Sequence, residues 1–77
     1  MSILDRVRMA AADVLRVPLE RITEASMPES IESWDSVEHL NLILALETQF
    51  GIEFEPEEIE RMKSIGQIAI LVESKAR

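Results

Sequence analysis

The sequence predicts an all-α fold: a small four-helix bundle with three main helices, one short helix and a long first loop. Three observations predict it. Apolar residues recur at helical spacing in three separate stretches. Residues that start and stop helices bracket those stretches. The one long stretch without such a pattern, residues 17–34, contains two prolines and four Ser/Thr residues. The whole chain, 77 residues, is expected to form one domain. A domain this small has room for a core but not for a buried catalytic cavity as well.

The first helix is expected over residues 3–15. Ile3, Val7, Ala10, Ala11, Val14 and Leu15 share a face, with Asp5, Arg6, Arg8 and Asp13 between them. Ser2 with Asp5 resembles a weak capping box. Pro18 forbids continuation, so the helix should stop near Arg16. The long connection that follows is expected to be pinned to the core by Leu19, Ile22, Met27 and Ile31. A loop of this length in so small a domain points to function.

The second helix, residues 36–50, has the clearest pattern. Asp35 suits its N-cap, and Glu38 three residues on completes a capping-box pattern. Gly51 suits the left-handed position after its last turn. Residues 52–55 alternate apolar and acidic. Pro56 opens a short helix through about Met62, with Glu57 and Glu58 near its positive end. Ser64 caps a last helix with Ile65, Ile68, Ala69 and Val72 on one face, weakened slightly by Gly66. Lys75 and Arg77 suit its negative end.

The charge is −7 and uneven. Residues 22–62 hold eleven acids and one base, Arg61. Such a surface repels phosphate backbones, which argues against nucleic acid. It favours basic partner surfaces, or it serves only solubility. No apolar run approaches membrane-spanning length, and no signal-peptide core is apparent, so a cytoplasmic protein is expected. The chain has no cysteine, hence no disulfide. No metal site is expected either: zinc-ligand spacing is missing, and the acids lack the spacing of a calcium loop.

The second helix carries more apolar residues than one buried face needs. Leu42, Ile43, Leu46 and Phe50 can face inward together. Val37, Leu40 and Leu44 then form a second stripe beside Ser36. Rimmed by acids, that stripe reads as a docking surface, unless the helix is buried on two sides.

Ser36 has three readings. It can be a plain helix-start serine. It can be a nucleophile with His39, the one histidine, on the same face. Or it can carry a covalent phosphodiester, which the positive helix start favours and Asp35 opposes.

The run Asp35-Ser36-Val37-Glu38-His39-Leu40, continuing through Asn41-Leu42-Ile43-Leu44-Ala45-Leu46-Glu47 to Phe50-Gly51-Ile52, resembles the modification motif and second helix of acyl carrier proteins. The likeness covers nearly the whole chain. It implies a carrier that is not itself an enzyme. A phosphopantetheinyl transferase would move 4′-phosphopantetheine from coenzyme A onto Ser36, and the arm's thiol would carry acyl or aminoacyl groups as thioesters. That would explain the missing cysteine. The resemblance assigns Asp35 to the transferase's Mg²⁺ and Glu38 and Glu47 to basic partner patches. It assigns Val37, Leu40 and Leu44 to apolar partner contacts, and Leu46 to an acyl cavity. The partners implied are the transferase and acyl-transferring or condensing enzymes of fatty-acid, polyketide or related biosynthesis, and the chain is expected to act as a monomer.

The sequence also departs from the family. Ser33-Trp34 stands where fatty-acid carriers usually have a glycine, and Asn41 and Thr48 replace frequent glutamates. The Trp34-Asp35-Ser36 form is similar to stand-alone carriers of specialised pathways. Trp34 itself is expected to pack the loop. The alternative from another class is a helical adaptor that binds a basic partner without a prosthetic group.

Overall fold

A computed structural model describes residues 2–76. Among them α1 spans Ile3–Leu15, α2 Ser36–Phe50, α3 Pro56–Glu60 and α4 Ile65–Ala76. Two single turns of 3-10 helix, Leu19–Arg21 and Pro28–Ser30, interrupt the long loop. The bundle is all-α with three main helices and one short one, as the periodicity predicts.

The caps explain where the helices begin. Ser2 Oγ accepts from the Asp5 N–H, and Asp35 Oδ1 from the Glu38 N–H. Ser64 Oγ accepts from the Gln67 N–H. Each satisfies a donor that a helix start leaves without a partner. At the other end of α2, Gly51 adopts the left-handed conformation and its N–H closes onto Glu47 O. The end of α1 is less expected. Arg16 takes the same left-handed conformation, φ 57° and ψ 47°, in spite of its Cβ. Helix α3 ends two residues before the expected Met62. The N–H of Arg61 turns back to Glu58 O and that of Met62 to Ile59 O, a tightened last turn.

Helix α1 packs against both α2 and α4, and α2 touches α4. Val7, Ala11 and Leu15 meet Leu42, Ile43 and Leu46 of α2 and Ile65, Ile68, Ala69 and Val72 of α4 in one buried cluster. Phe50, expected to face inward, is only half-buried at its edge, and the Arg6 guanidinium lies 4.2 Å from its ring centroid. That arrangement covers the face of the ring with a cation rather than with core.

The loop is anchored differently from the expectation. Ile22 is fully buried and Ile31 half-buried, but Leu19 and Met27 are exposed. Hydrogen bonds do the work assigned to those two side chains. Arg8 Nε donates to Ile22 O at 2.6 Å and Nη2 to Leu19 O at 3.2 Å. Ser33 Oγ donates to Leu15 O. The first two N–H groups of α4 meet the same loop, Ile65 on Ser26 O and Gly66 on Glu24 O. Gly66 suits this close approach: a Cβ would sit 3.1 Å from Glu24 O, tight enough that the loop backbone would have to give by a few tenths of an ångström. Its cost in helix propensity allows that close approach.

Candidate functional site

Ser36 is the first residue of α2 and is exposed. Asp35, just before it, spends Oδ1 on the Glu38 N–H at 2.9 Å, and its carbonyl accepts from the His39 N–H. Asp35 is therefore a cap first, and as a residue it is exposed. The cap fixes the angle at which the chain enters the helix and so the direction of Ser36.

The expected capping box is half formed. Glu38 does not return to the backbone of Asp35. Its carboxylate accepts from Arg16 Nη2 at 3.1 Å and from Asn41 Nδ2 at 2.9 Å. The Arg16 pair ties the end of α1 to the start of α2, which gives the left-handed Arg16 a local function. Glu47 lies at the far end of α2, where one carboxylate oxygen accepts from the Phe54 N–H at 2.8 Å. Both glutamates are thus engaged within the chain.

The outward stripe is present. Val37, Leu40 and Leu44 are 65%, 54% and 60% exposed, while Leu42, Ile43 and Leu46 on the same helix are buried. This removes the reading of a helix buried on two sides. Leu46 sits in the closed core.

An open cleft of about 270 Å³ adjoins Ser36. Trp34, Asp35, Ser36 and His39 form one wall, and Ile59, Glu60 and Met62 from the α3 region form the other, with Pro28 at the edge. Trp34 is 3% exposed, so it packs the loop as expected. Its indole Nε1–H donates to His39 Nδ1 at 3.0 Å, and the two rings lie 28° from parallel. That bond was not legible in the sequence. A tryptophan and the one histidine five residues apart were its only signal.

The other wall is held by an ion pair. Lys75 Nζ of α4 meets Glu58 Oε1 of α3 at 2.8 Å. The Glu55 N–H and then Lys75 hold the Glu58 carboxyl below its ordinary value, and the bond to Glu58 raises Lys75. Among the described residues no cluster of three or more His, Asp or Glu side chains could hold a metal ion, and no helix is long and apolar enough to cross a membrane.

A small helical bundle that offers an exposed serine at a helix start, beside an open cleft and an exposed apolar stripe, has the architecture of a carrier domain. Comparison with known proteins agrees. The family model described as "Phosphopantetheine attachment site" matches residues 5–72. The acyl carrier protein of Thermosynechococcus vestitus is 36% identical over 75 residues, covering 96% of this chain and 91% of its own length. That of Petrotoga mobilis is 30% identical over 75 residues, covering 96% and 87%. The solution structure of the holo acyl carrier protein of Geobacter metallireducens superposes with a TM-score of 0.87 at 32% identity, over 97% of this chain and 86% of that one. The chain belongs to the acyl carrier protein family and is an acyl carrier that bears 4′-phosphopantetheine. Membership implies that it works with biosynthetic enzymes.

Proposed function

We propose that Ser36 is the attachment point of the arm and that residues 1–77 act as one monomeric carrier domain. The exposed hydroxyl of Ser36 at the start of α2, with a cleft alongside, is the observation that carries this reading. The residues there suit the group. The positive helix end favours the phosphate, and the cleft offers apolar Ile59 and Met62 beside polar His39 to a mixed pantetheine chain.

In the loading step Ser36 Oγ attacks the phosphorus of coenzyme A that bears the pantetheine. A new O–P bond forms, the diphosphate bond breaks, and adenosine 3′,5′-bisphosphate leaves. The serine proton passes to a base of the transferase or to solvent. Asp35 has one oxygen left for the transferase's Mg²⁺. Once attached, the arm supplies the thiol that this cysteine-free chain lacks and holds acyl cargo as a thioester.

Val37, Leu40 and Leu44 are the apolar contacts offered to partner enzymes. The surrounding acids favour basic docking patches. Asp35, Glu38 and Glu47 contribute charge there, Glu38 and Glu47 through carboxylates that also bond within the chain. The pathways served are fatty-acid, polyketide or related biosynthesis, and the Trp34-Asp35-Ser36 form favours polyketide or aminoacyl chemistry among them. The cytoplasm, with its coenzyme A, is the expected compartment.

A carrier rather than a hydrolase is supported by His39. With Nδ1 accepting from Trp34, the neutral ring has its proton on Nε2 and no free lone pair to serve Ser36 as a base. The test is to incubate the chain with coenzyme A, Mg²⁺ and a broad-specificity transferase and to measure intact mass. The wild type should gain one phosphopantetheinyl group and Ser36→Ala none. No gain in the wild type, or an equal gain in the variant, would sink the proposal.

A further inference from the structure

Trp34 is almost fully buried, and its indole N–H can only donate. A buried indole N–H needs an acceptor, and His39 Nδ1 at 3.0 Å provides it. This one bond decides the chemistry of the other ring nitrogen. If Nδ1 accepts, it carries no proton, so in the neutral ring Nε2 does. The Trp34 bond therefore presents Nε2–H as a donor. No group among the described residues accepts from it, and it is not among buried polar atoms left without a partner.

That donor belongs to a residue on the wall of the cleft, one helical turn beyond Ser36 on the same face. The cleft is otherwise poor in side-chain donors. Trp34 has spent its N–H. Asp35 and Glu60, when ionised, only accept, and Ile59 and Met62 have no N–H or O–H to give. The Ser36 hydroxyl is consumed by attachment. His39 Nε2–H is what remains for an anionic group attached at Ser36 beside two carboxylates.

We infer that Trp34 and His39 are an arm-positioning pair: Trp34 fixes the tautomer of His39, and His39 Nε2–H donates to a phosphodiester oxygen of the arm on Ser36. Such a bond is charge-assisted on the acceptor side and so short and directional. It would hold the root of the arm against the start of α2 and set the direction in which the rest leaves the surface. This inference rests on Ser36 as the attachment point. It adds a role for two residues that attachment alone does not require.

The chain has one tryptophan and one histidine, so each side chain gives a single, unambiguous nuclear magnetic resonance signal. The experiment compares ¹⁵N-labelled unloaded and loaded wild type, with loading verified by intact mass, at a pH where the ring is neutral. Long-range ¹H–¹⁵N correlation should show His39 as the Nε2–H tautomer in both forms. Its Nε2 signal should shift on loading, while the Trp34 indole N–H stays slow to exchange. The ³¹P signal of the loaded protein should move in His39→Phe and return toward wild type in His39→Gln, which can still accept from Trp34 and donate outward. Trp34→Phe should leave His39 with a mixture of tautomers.

An Nε2 signal unchanged by loading, or a ³¹P signal indifferent to His39→Phe, would overturn the pair and leave attachment at Ser36 intact. Failure of the wild type to load would end both. The comparison of unloaded with loaded wild type needs no variant, so it holds even if His39→Phe fails to fold.

Discussion

Helix α2 has two apolar faces with opposite fates. Leu42, Ile43 and Leu46 are buried against α1 and α4, whereas Val37, Leu40 and Leu44 on the same 15 residues remain more than half exposed. Residue type does not separate them, since both sets are aliphatic. The direction in which each side chain leaves the helix does. The inward face contributes its area to stability. The outward face contributes much less to the isolated fold and gains most when another surface covers it. Ser36 stands at the head of the second face, so with the attachment proposed above the helix that holds the domain together would also offer the arm to partners.

Substitutions on the two faces should therefore separate stability from recognition. The largest effect is expected on the inward face. Leu46→Ala leaves a cavity in a small core and should cost roughly 2–5 kcal/mol, read by urea unfolding of the unloaded protein. On the outward face Leu40→Asp or Leu44→Asp should change stability by no more than about 0.5 kcal/mol. The same variants should slow loading by the transferase or weaken partner binding by about tenfold, equivalent to about 1.4 kcal/mol. A loss of stability in Leu44→Asp equal to that in Leu46→Ala would erase the distinction.

Arg8→Met comes next. It removes the donors on Ile22 O and Leu19 O that hold the long loop. We expect a loss of about 1.5 kcal/mol and faster amide exchange in the first half of that loop, around Leu19 and Ile22. Val37, Leu40 and Leu44 are not touched by Arg8, so partner binding should change little once folding is allowed for.

The smallest effect concerns the far wall of the cleft and depends on pH. Glu58 has a folded value held below its ordinary 4.5, so its contribution is present above the unfolded value and is lost as pH falls through the folded one. Lys75 has a folded value raised above its ordinary 10.5, so its contribution is present below the unfolded value and is lost as pH rises through the folded one. The clamp from α3 to α4 is thus strongest between these limits. Amide exchange corrected for its intrinsic pH dependence should show α3 opening more readily at both extremes. In Lys75→Met the alkaline change should vanish. Both groups are near solvent, so the effect is modest and falls with added salt.

Much of this was legible in the sequence because it is periodic or local. The helix starts follow from Ser2, Asp35 and Ser64, whose caps act within three residues. The stop at Gly51 follows from one residue type. The outward stripe was legible because α2 has more aliphatic residues than a single buried face can use. Other features depend on contacts across the chain that leave no spacing signal. Leu19 and Met27 look like loop anchors by hydropathy, but Arg8 holds the loop by its backbone, and those side chains stay outside. Glu38 and Glu47 look like free surface charges until Arg16, Asn41 and the Phe54 N–H are brought to them. Gly66 reads as a weak helix residue until Glu24 O is found against it. The Trp34–His39 bond joins a loop residue to a helix residue, and no helical or strand period links the two.

The central claim concerns one hydroxyl among several. Ser26, Ser30 and Ser33 lie within ten residues of Ser36. The first two are bonded within the loop, and Ser33 donates to Leu15 O. The most direct measurement is fragmentation mass spectrometry of the loaded wild-type protein after digestion, read for the residue that bears the phosphopantetheinyl group. The account predicts the group on Ser36 alone. Its appearance on Ser33, or divided among the loop serines, would contradict it.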